Sequence, residues 1–202
     1  CYSNFEYPRF GHFMSRSSRS PLSYEYALLG FLSNRPMHAY EIHRRLRKAS
    51  GLRLIWTVKQ GQLYALLARL EEEGYIASAM EPQDGRPPRK MLSLTAEGEA
   101  AFQRWMVEPV RRPRQFRQEL LAKLFFANNN GPETLGALLV AQRDASRALL
   151  ADLQRQIDAV PHDRLYEQLV YRLRVVQTEA HLRWLEECEE AMLVISAAAA
   201  ST

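Results

Sequence analysis

The chain has 202 residues, 47% hydrophobic and 25% charged, with a formal net charge of +4; this is globular composition and excludes a wholly disordered or fibrous protein. The longest apolar runs, 27–32 and 120–127, fall far short of the roughly 20 residues that span a bilayer, and residues 1–20 lack the continuous apolar segment of a secretory signal, so a cytoplasmic protein with no membrane partner is expected. Cys1 and Cys188 stand at opposite ends of the chain, which makes neither a disulfide framework nor a metal site, and no cofactor is expected.

Residues 1–20 interleave aromatics with Ser and Arg and read as a flexible N-terminal tail. Met14 is a candidate start, and whether 1–13 are native is left open. A first helix is predicted over about 21–33, because Pro21 suits a first helical turn and Tyr26, Leu29 and Leu32 share one face. A second is predicted over about 39–49, with Ile42, Leu46 and Ala49 inward and Arg44, Arg45, Arg47 and Lys48 outward. Ser50 and Gly51 stop it, Gly51 as a left-handed cap. A third runs over 59–73, where Leu63, Leu66, Leu67 and Leu70 recur at i, i+3, i+4 and i+7, the stripe of an amphipathic helix; Gly74 ends it.

The period then changes. Residues 75–80 and 90–94 read as short strands around a loop over 81–89 that carries Asp84-Gly85, a turn signal, and Pro87-Pro88. Thr95 caps a fourth helix over 96–107, whose apolar face is Phe102, Trp105 and Met106. A basic linker covers 108–116, and the rest is helical: 119–128, 132–160 and 164–195, with breaks at Asn128-Asn129-Asn130-Gly131-Pro132 and at Pro161. Residues 197–202 are expected to fray. The fold class is therefore mainly α with a small β-wing: a winged helix-turn-helix over 21–107, followed by an α-helical dimerisation domain over 117–196.

Positive charge is concentrated where such a fold meets DNA. Between Arg35 and Lys59 there are seven basic residues, Arg35, Arg44, Arg45, Arg47, Lys48, Arg53 and Lys59, against Glu41 alone. The third helix is the candidate recognition helix. Opposite its leucines it shows Gly61, Ala65 and Ala68, small enough to let the backbone approach a groove floor, flanked by Gln62, Tyr64 and Arg69. Gln60 and Gln62 suit base edges; Lys59, Tyr64 and the helix N-terminus suit phosphates. Arg86, Arg89 and Lys90 suit a wing that follows the minor groove or backbone. Taken alone, this helix reads as a solvated face; the surrounding order of elements is what favours double-stranded DNA as the partner.

Here the residues resemble the PadR family of transcription regulators. The matching pieces are Ala27-Leu28-Leu29-Gly30-Phe31-Leu32, Pro36-Met37-His38-Ala39-Tyr40-Glu41-Ile42, Trp56, Gly61-Gln62-Leu63-Tyr64, Leu70-Glu71-Glu72-Glu73-Gly74-Tyr75-Ile76, Gly85-Arg86-Pro87-Pro88-Arg89-Lys90 and Leu94-Thr95-Ala96-Glu97-Gly98. They cover about 22–107 in order. Leu120-Leu121-Ala122-Lys123-Leu124-Phe125-Phe126 resembles the start of the longer C-terminal domain of one branch. Ala39, Lys59 and Leu92 depart from the family's pattern, which leaves the operator sequence unpredicted. The resemblance implies a homodimer that is mostly a repressor, with Tyr40 added to the DNA-contacting set, and in some members release of DNA on binding a small aromatic effector, phenolic acids being the best-known class.

Leu165, Leu169, Leu173, Val176 and Trp184 form a seam too long for one small domain to cover, so a homodimer is expected, with Leu120, Leu124 and Phe125 assigned to the same interface and an intramolecular hairpin with 132–160 as the competing cover. Trp105, at the hinge, is the preferred effector-binding residue, although tryptophans more often anchor a core. No catalytic constellation appears: His-Glu-x-x-His, Cys-x-x-Cys, Gly-x-Ser-x-Gly and the P-loop are absent, and His38 reads as a helix-start residue. The protein is therefore not expected to be an enzyme. The alternatives are an effector-independent activator of the same fold, a winged-helix protein–protein adaptor, and a sensor acting mainly through its C-terminal domain.

Overall fold

The computed structural model describes residues 23–48, 51–83 and 86–200; the predicted tail over 1–20, the inward Ala49, and the turn pair Asp84-Gly85 lie outside them. The chain order is α1 (Ser23–Leu32), α2 (Ala39–Lys48), a 3-10 turn (Leu52–Leu54), α3 (Gln60–Glu72), β1 (Ile76–Gln83), β2 (Arg86–Leu94) and α4 (Ala96–Val107). It continues through α5 (Pro113–Gln115), a π-helical stretch (Phe116–Leu120), α6 (Leu121–Asn130), α7 (Pro132–Asp158) and α8 (Leu165–Ala200). This is the expected mainly-α fold with a two-stranded antiparallel wing. Among the described residues no helix is long and apolar enough to cross a membrane.

α1 is the hub. The sequence suggests one apolar face, yet Glu25, Ala27, Leu28, Leu29, Phe31 and Leu32 are all buried, because the helix packs on α3, α4, α6 and β2 together. A helix apolar all round belongs inside. α2 is amphipathic as expected, with Ile42 and Leu46 buried; its start is capped by His38, whose Nδ1 accepts the Glu41 amide at 3.0 Å. Gly51 has φ −73°, so the left-handed cap expected there is wrong: the chain passes through it in a right-handed conformation into the 3-10 turn. Gly74 does take φ +84°, the left-handed region that releases α3 into the wing.

The wing is longer than its apolar pattern. β1 and β2 pair from Ile76↔Leu94 out to Gln83↔Arg86, with the register broken between Glu81 and Gln83. Pro82 sits at that irregularity, the place where a ladder tolerates a residue without an N–H. An isolated backbone bridge joins the wing to the segment before α2: Met37 and Leu92 exchange both backbone bonds at 2.9 Å, so the Pro36-Met37-His38 segment covers the inner flank of β2.

The C-terminal half begins before the expected helix and ends later. Pro113 opens a helical run that reaches Asn130 through the π stretch, and α8 continues to Ala200, where fraying was expected over 197–202. α7 and α8 form an antiparallel hairpin, closed by Arg143 on Glu189 at 2.5 Å. The linker is stitched down by one amide: the buried Gln142 side chain accepts from Val110 N–H at 2.7 Å and donates to Val110 C=O at 2.9 Å. Satisfying both backbone groups is what allows Val110 to be 3% exposed.

Of three residues assigned to the dimer seam, one is instead buried in this chain's own core. Leu120 is 1% exposed, and Leu124 and Phe125 pack half-buried against the same core clusters. Helical periodicity identified the correct face, but the partner covering it is α1, α4 and α7.

Candidate DNA interface

α3 buries Leu63, Leu66, Leu67 and Leu70, and this fixes what it shows to solvent: Gln60, Gly61, Gln62, Tyr64, Ala65 and Ala68 are all exposed. Lys59 precedes the helix in an extended conformation and provides no side-chain cap. The amides of the first turn, which a helix leaves without internal partners, therefore open at an exposed end beside a lysine. Such an end is a ready anion site.

One concave surface joins this helix to the wing. A cleft of about 480 Å³ is lined by Tyr40 from α2, Tyr64, Ala68 and Glu71 from α3, and Arg89 and Lys90 from β2. Tyr40 and Tyr64 are 60% and 45% exposed. Four of the residues expected at the interface are thus brought together, and Lys59, Gln60 and Gln62 occupy the free end of the same helix. Arg86 opens β2 opposite Gln83.

Two of the residues expected to contact DNA hold ion pairs within the chain. Arg69 forms an ion pair with Glu25, which is almost fully buried in α1. Its guanidinium ties α3 to α1. Lys90 donates to Glu71 at 2.6 Å, and Ser78 Oγ donates to the other oxygen of the same carboxylate at 2.5 Å. The Lys90 bond, then the Ser78 bond, hold the Glu71 carboxyl below its ordinary range. Sequence reasoning missed Glu71, because a run of three glutamates at a helix end looks like a solvated face.

Glu41 has a parallel role on α2. Burial alone would raise its carboxyl, but the Arg35 hydrogen bond and charge, with Arg45, draw it below the ordinary value. Arg45 lies at 3.3 Å and Arg35 is closer still. Part of the basic charge counted along 35–59 is therefore neutralised within the protein.

Trp105, the residue expected to bind an effector, is a core residue. The indole is 4% exposed, stacks on Tyr26 at 5.2 Å with planes 7° apart, meets Phe126 edge-on and donates to Glu119 at 3.2 Å. Lys123 lies over the ring, 2% exposed, and donates to the Glu108 carbonyl at 2.5 Å. Burial pushes this ammonium below the usual lysine range, with Glu119 and Glu108 opposing. The tryptophan anchors α4 to α6 and leaves no room for a ligand. The open space nearby is a mostly apolar cleft of about 640 Å³ between the 113–121 run and α8, lined by Phe116, Leu121, Ala180, His181 and Trp184, with Arg114 and Arg117 beside them.

α8 has one side against α7 and another open to solvent. Thr178 and Leu185 are buried in the α7 hairpin, whereas Leu165, Leu169, Leu173 and Val176 are 64%, 52%, 59% and 57% exposed.

Residues 28–104 match the model of the transcriptional regulator PadR-like family, and 116–192 match that of the virulence activator alpha C-terminal region. A probable transcriptional regulator of Mycobacterium tuberculosis is 27% identical over 184 residues, 83% of this chain and 96% of the relative. The negative transcriptional regulator PadR of Bacillus subtilis is 27% identical over 130 residues, 64% of this chain and 70% of the relative. Among solved structures, that of Bacillus subtilis PadR in complex with operator DNA is similar at 22% identity and TM-score 0.42, covering 85% of this chain and 99% of the other.

Proposed function

The chain carries a domain of the transcriptional regulator PadR-like family followed by a virulence-activator-type helical domain, and from this premise we propose that it is a homodimeric repressor that binds operator DNA through α3 and the wing. The observation that carries the reading is the uncapped start and exposed small-residue side of α3, which reaches through Ala68 into the cleft that Tyr64 and Arg89 also line. Gly61, Ala65 and Ala68 let the helix sit deep in a major groove. Gln60 and Gln62 then reach base edges, while Lys59, Tyr40, Tyr64, Arg86 and Arg89 hold phosphates.

Repression is supported by the name of the Bacillus subtilis relative, a negative regulator. Dimerisation is supported by the exposed seam on α8: four large apolar side chains on one helix face are more than a monomer usually leaves to water. An isologous pair would present two recognition helices to successive major grooves. Effector control fits the cleft at Trp184 better than the core site at Trp105. It has an aromatic and aliphatic lining with guanidinium groups beside it, which suits a small aromatic acid.

The test is duplex selection by the purified protein, followed by a salt titration on a selected duplex. Affinity is expected to fall steeply and linearly in log–log form as salt rises; little duplex affinity at moderate salt would indicate an adaptor instead. Replacing Arg86 and Arg89 together by alanine is expected to weaken selected and random duplexes alike and to reduce the salt slope by about 2. Gln62→Ala is expected to alter the selected sequence, at a cost of about 1–3 kcal/mol for the preferred base. Unchanged binding by the wing double variant would remove the wing from the mechanism.

A further inference from the structure

The bond pattern at Glu71 has a functional consequence that rests on the DNA-binding reading. Ser78 lies on β1 and Lys90 on β2, and the register pairs Ser78 with Leu92 and Met80 with Lys90, so the two are diagonal neighbours on one face of the hairpin. Glu71 sits in the last turn of α3. A single carboxylate therefore ties both strands of the wing to the recognition helix, through bonds of 2.5 and 2.6 Å. It does so inside the cleft that Tyr40, Tyr64 and Arg89 line.

We propose that Glu71 is a positioning and specificity-determining residue, which holds the wing at a set distance from α3 and keeps the Lys90 charge occupied. The physical argument has two parts. First, a two-stranded hairpin is marginal without an attachment along its length. Ser78, Met80, Glu81, Arg89 and Lys90 are all exposed, so among the described residues beyond the base near Ile76 and Leu92 the Glu71 bonds tie the wing to the helix, one residue from Arg89. Second, a negative charge lining a phosphate-facing cleft works against every duplex equally. It lowers sequence-independent attraction, while base contacts by α3 are untouched. Glu71 thus raises the ratio of specific to non-specific binding by both routes: it holds Arg89 in register and prevents Lys90 from acting as an indiscriminate phosphate contact.

Four full-length proteins test this: the unaltered chain, Glu71→Gln, Lys90→Met, and the double variant Glu71→Gln with Lys90→Met. Each is titrated with a selected and a random duplex over a salt series, after thermal melting has checked that it is folded. Glu71→Gln retains the shape and a hydrogen-bonding oxygen but lacks the charge. It is expected to bind the random duplex about threefold tighter or more at 0.1 M salt, and to steepen the salt slope by about 1 as Lys90 turns to a phosphate. In the double variant the steeper slope should disappear. Lys90→Met alone is expected to leave the slope no shallower, because Lys90 is not a phosphate contact in the unaltered protein. A slope that becomes shallower in Lys90→Met would overturn the proposal, as would a Glu71→Gln protein with unchanged slope and unchanged discrimination. Failure of the unaltered chain to bind any duplex would overturn the DNA-binding reading itself, a separate result visible in the first titration.

Discussion

Gly98→Ala is expected to destabilise the protein by about 3 kcal/mol or more, a large effect for one methyl group. The reason is a backbone-to-backbone approach. A Cβ built on Gly98 falls 2.0 Å from the Tyr75 carbonyl oxygen and 2.9 Å from its carbon, and neither is a side-chain tip that can rotate away. The same carbonyl accepts the Thr95 amide at 3.1 Å, the Thr95 hydroxyl donates to the neighbouring Gly74 carbonyl at 2.7 Å, and Thr95 Oγ1 accepts the Gly98 amide at 3.0 Å. Pushing α4 back to make room breaks the cap and these bonds together, where each lost cap or buried bond costs about 1 kcal/mol. Tyr75 leads into β1 and Thr95 follows β2, so both feet of the wing shift as well. Chemical denaturation should show the lower midpoint. Gly61→Ala is the contrast: a Cβ there meets nothing within 4 Å, and Ala favours helix by up to about 1 kcal/mol, so stability should hold or rise while duplex affinity falls because the added methyl stands off the groove. A Gly98→Ala protein as stable as the unaltered chain would show that α4 and Tyr75 are not held in this contact.

The contrast between these glycines shows where the sequence is readable. The leucines of α3 announce their buried side, and hence the exposed side at Gly61, because one face of a helix has only two fates. Periodicity does not say which body covers a buried face. Leu120, Leu124 and Phe125 read as seam residues for that reason, and the structure buries Leu120 and leaves Leu124 and Phe125 half-buried against the chain's own core. Trp105 was misplaced similarly: its aromatic partners Tyr26 and Phe126 come from distant segments that no local pattern connects. Polar residues were harder still. Glu25 on Arg69, Glu71 on Lys90 and Lys123 on the Glu108 carbonyl join side chains 15 to 44 positions apart, and a charged side chain looks identical in sequence whether it meets water, DNA or its own fold. The wing was underestimated because Pro82, Pro87 and Pro88 discount strand propensity, although a two-stranded edge hairpin tolerates proline where no ladder bond is required.

Leu173→Asp is expected to convert the protein to a monomer at micromolar concentration and to weaken operator binding by a factor on the order of 100 or more. α8 is 36 residues long, about 54 Å at 1.5 Å per residue, and its inner side is occupied by α7 through Thr178 and Leu185. Leu165, Leu169, Leu173 and Val176 follow one another at spacings of four, four and three, the repeat of a helix seam that meets another helix. Because Leu173 is 59% exposed within the chain, an aspartate there leaves the monomer fold intact, with a change of about 0.5 kcal/mol or less. In an isologous pair the same substitution enters the interface twice, and each carboxylate must be desolvated without a partner. Operator affinity falls because two recognition helices on separate chains lose the effective concentration that the dimer provides. Light scattering gives the mass, and circular dichroism confirms that helix content is retained. Leu185→Asp, at a position 1% exposed, should instead lower the melting temperature, since that face belongs to the hairpin. If the Leu173→Asp protein remains dimeric, the two-fold contact lies elsewhere on the molecule; if its helix content collapses, the exposed row on α8 is covered by the chain itself.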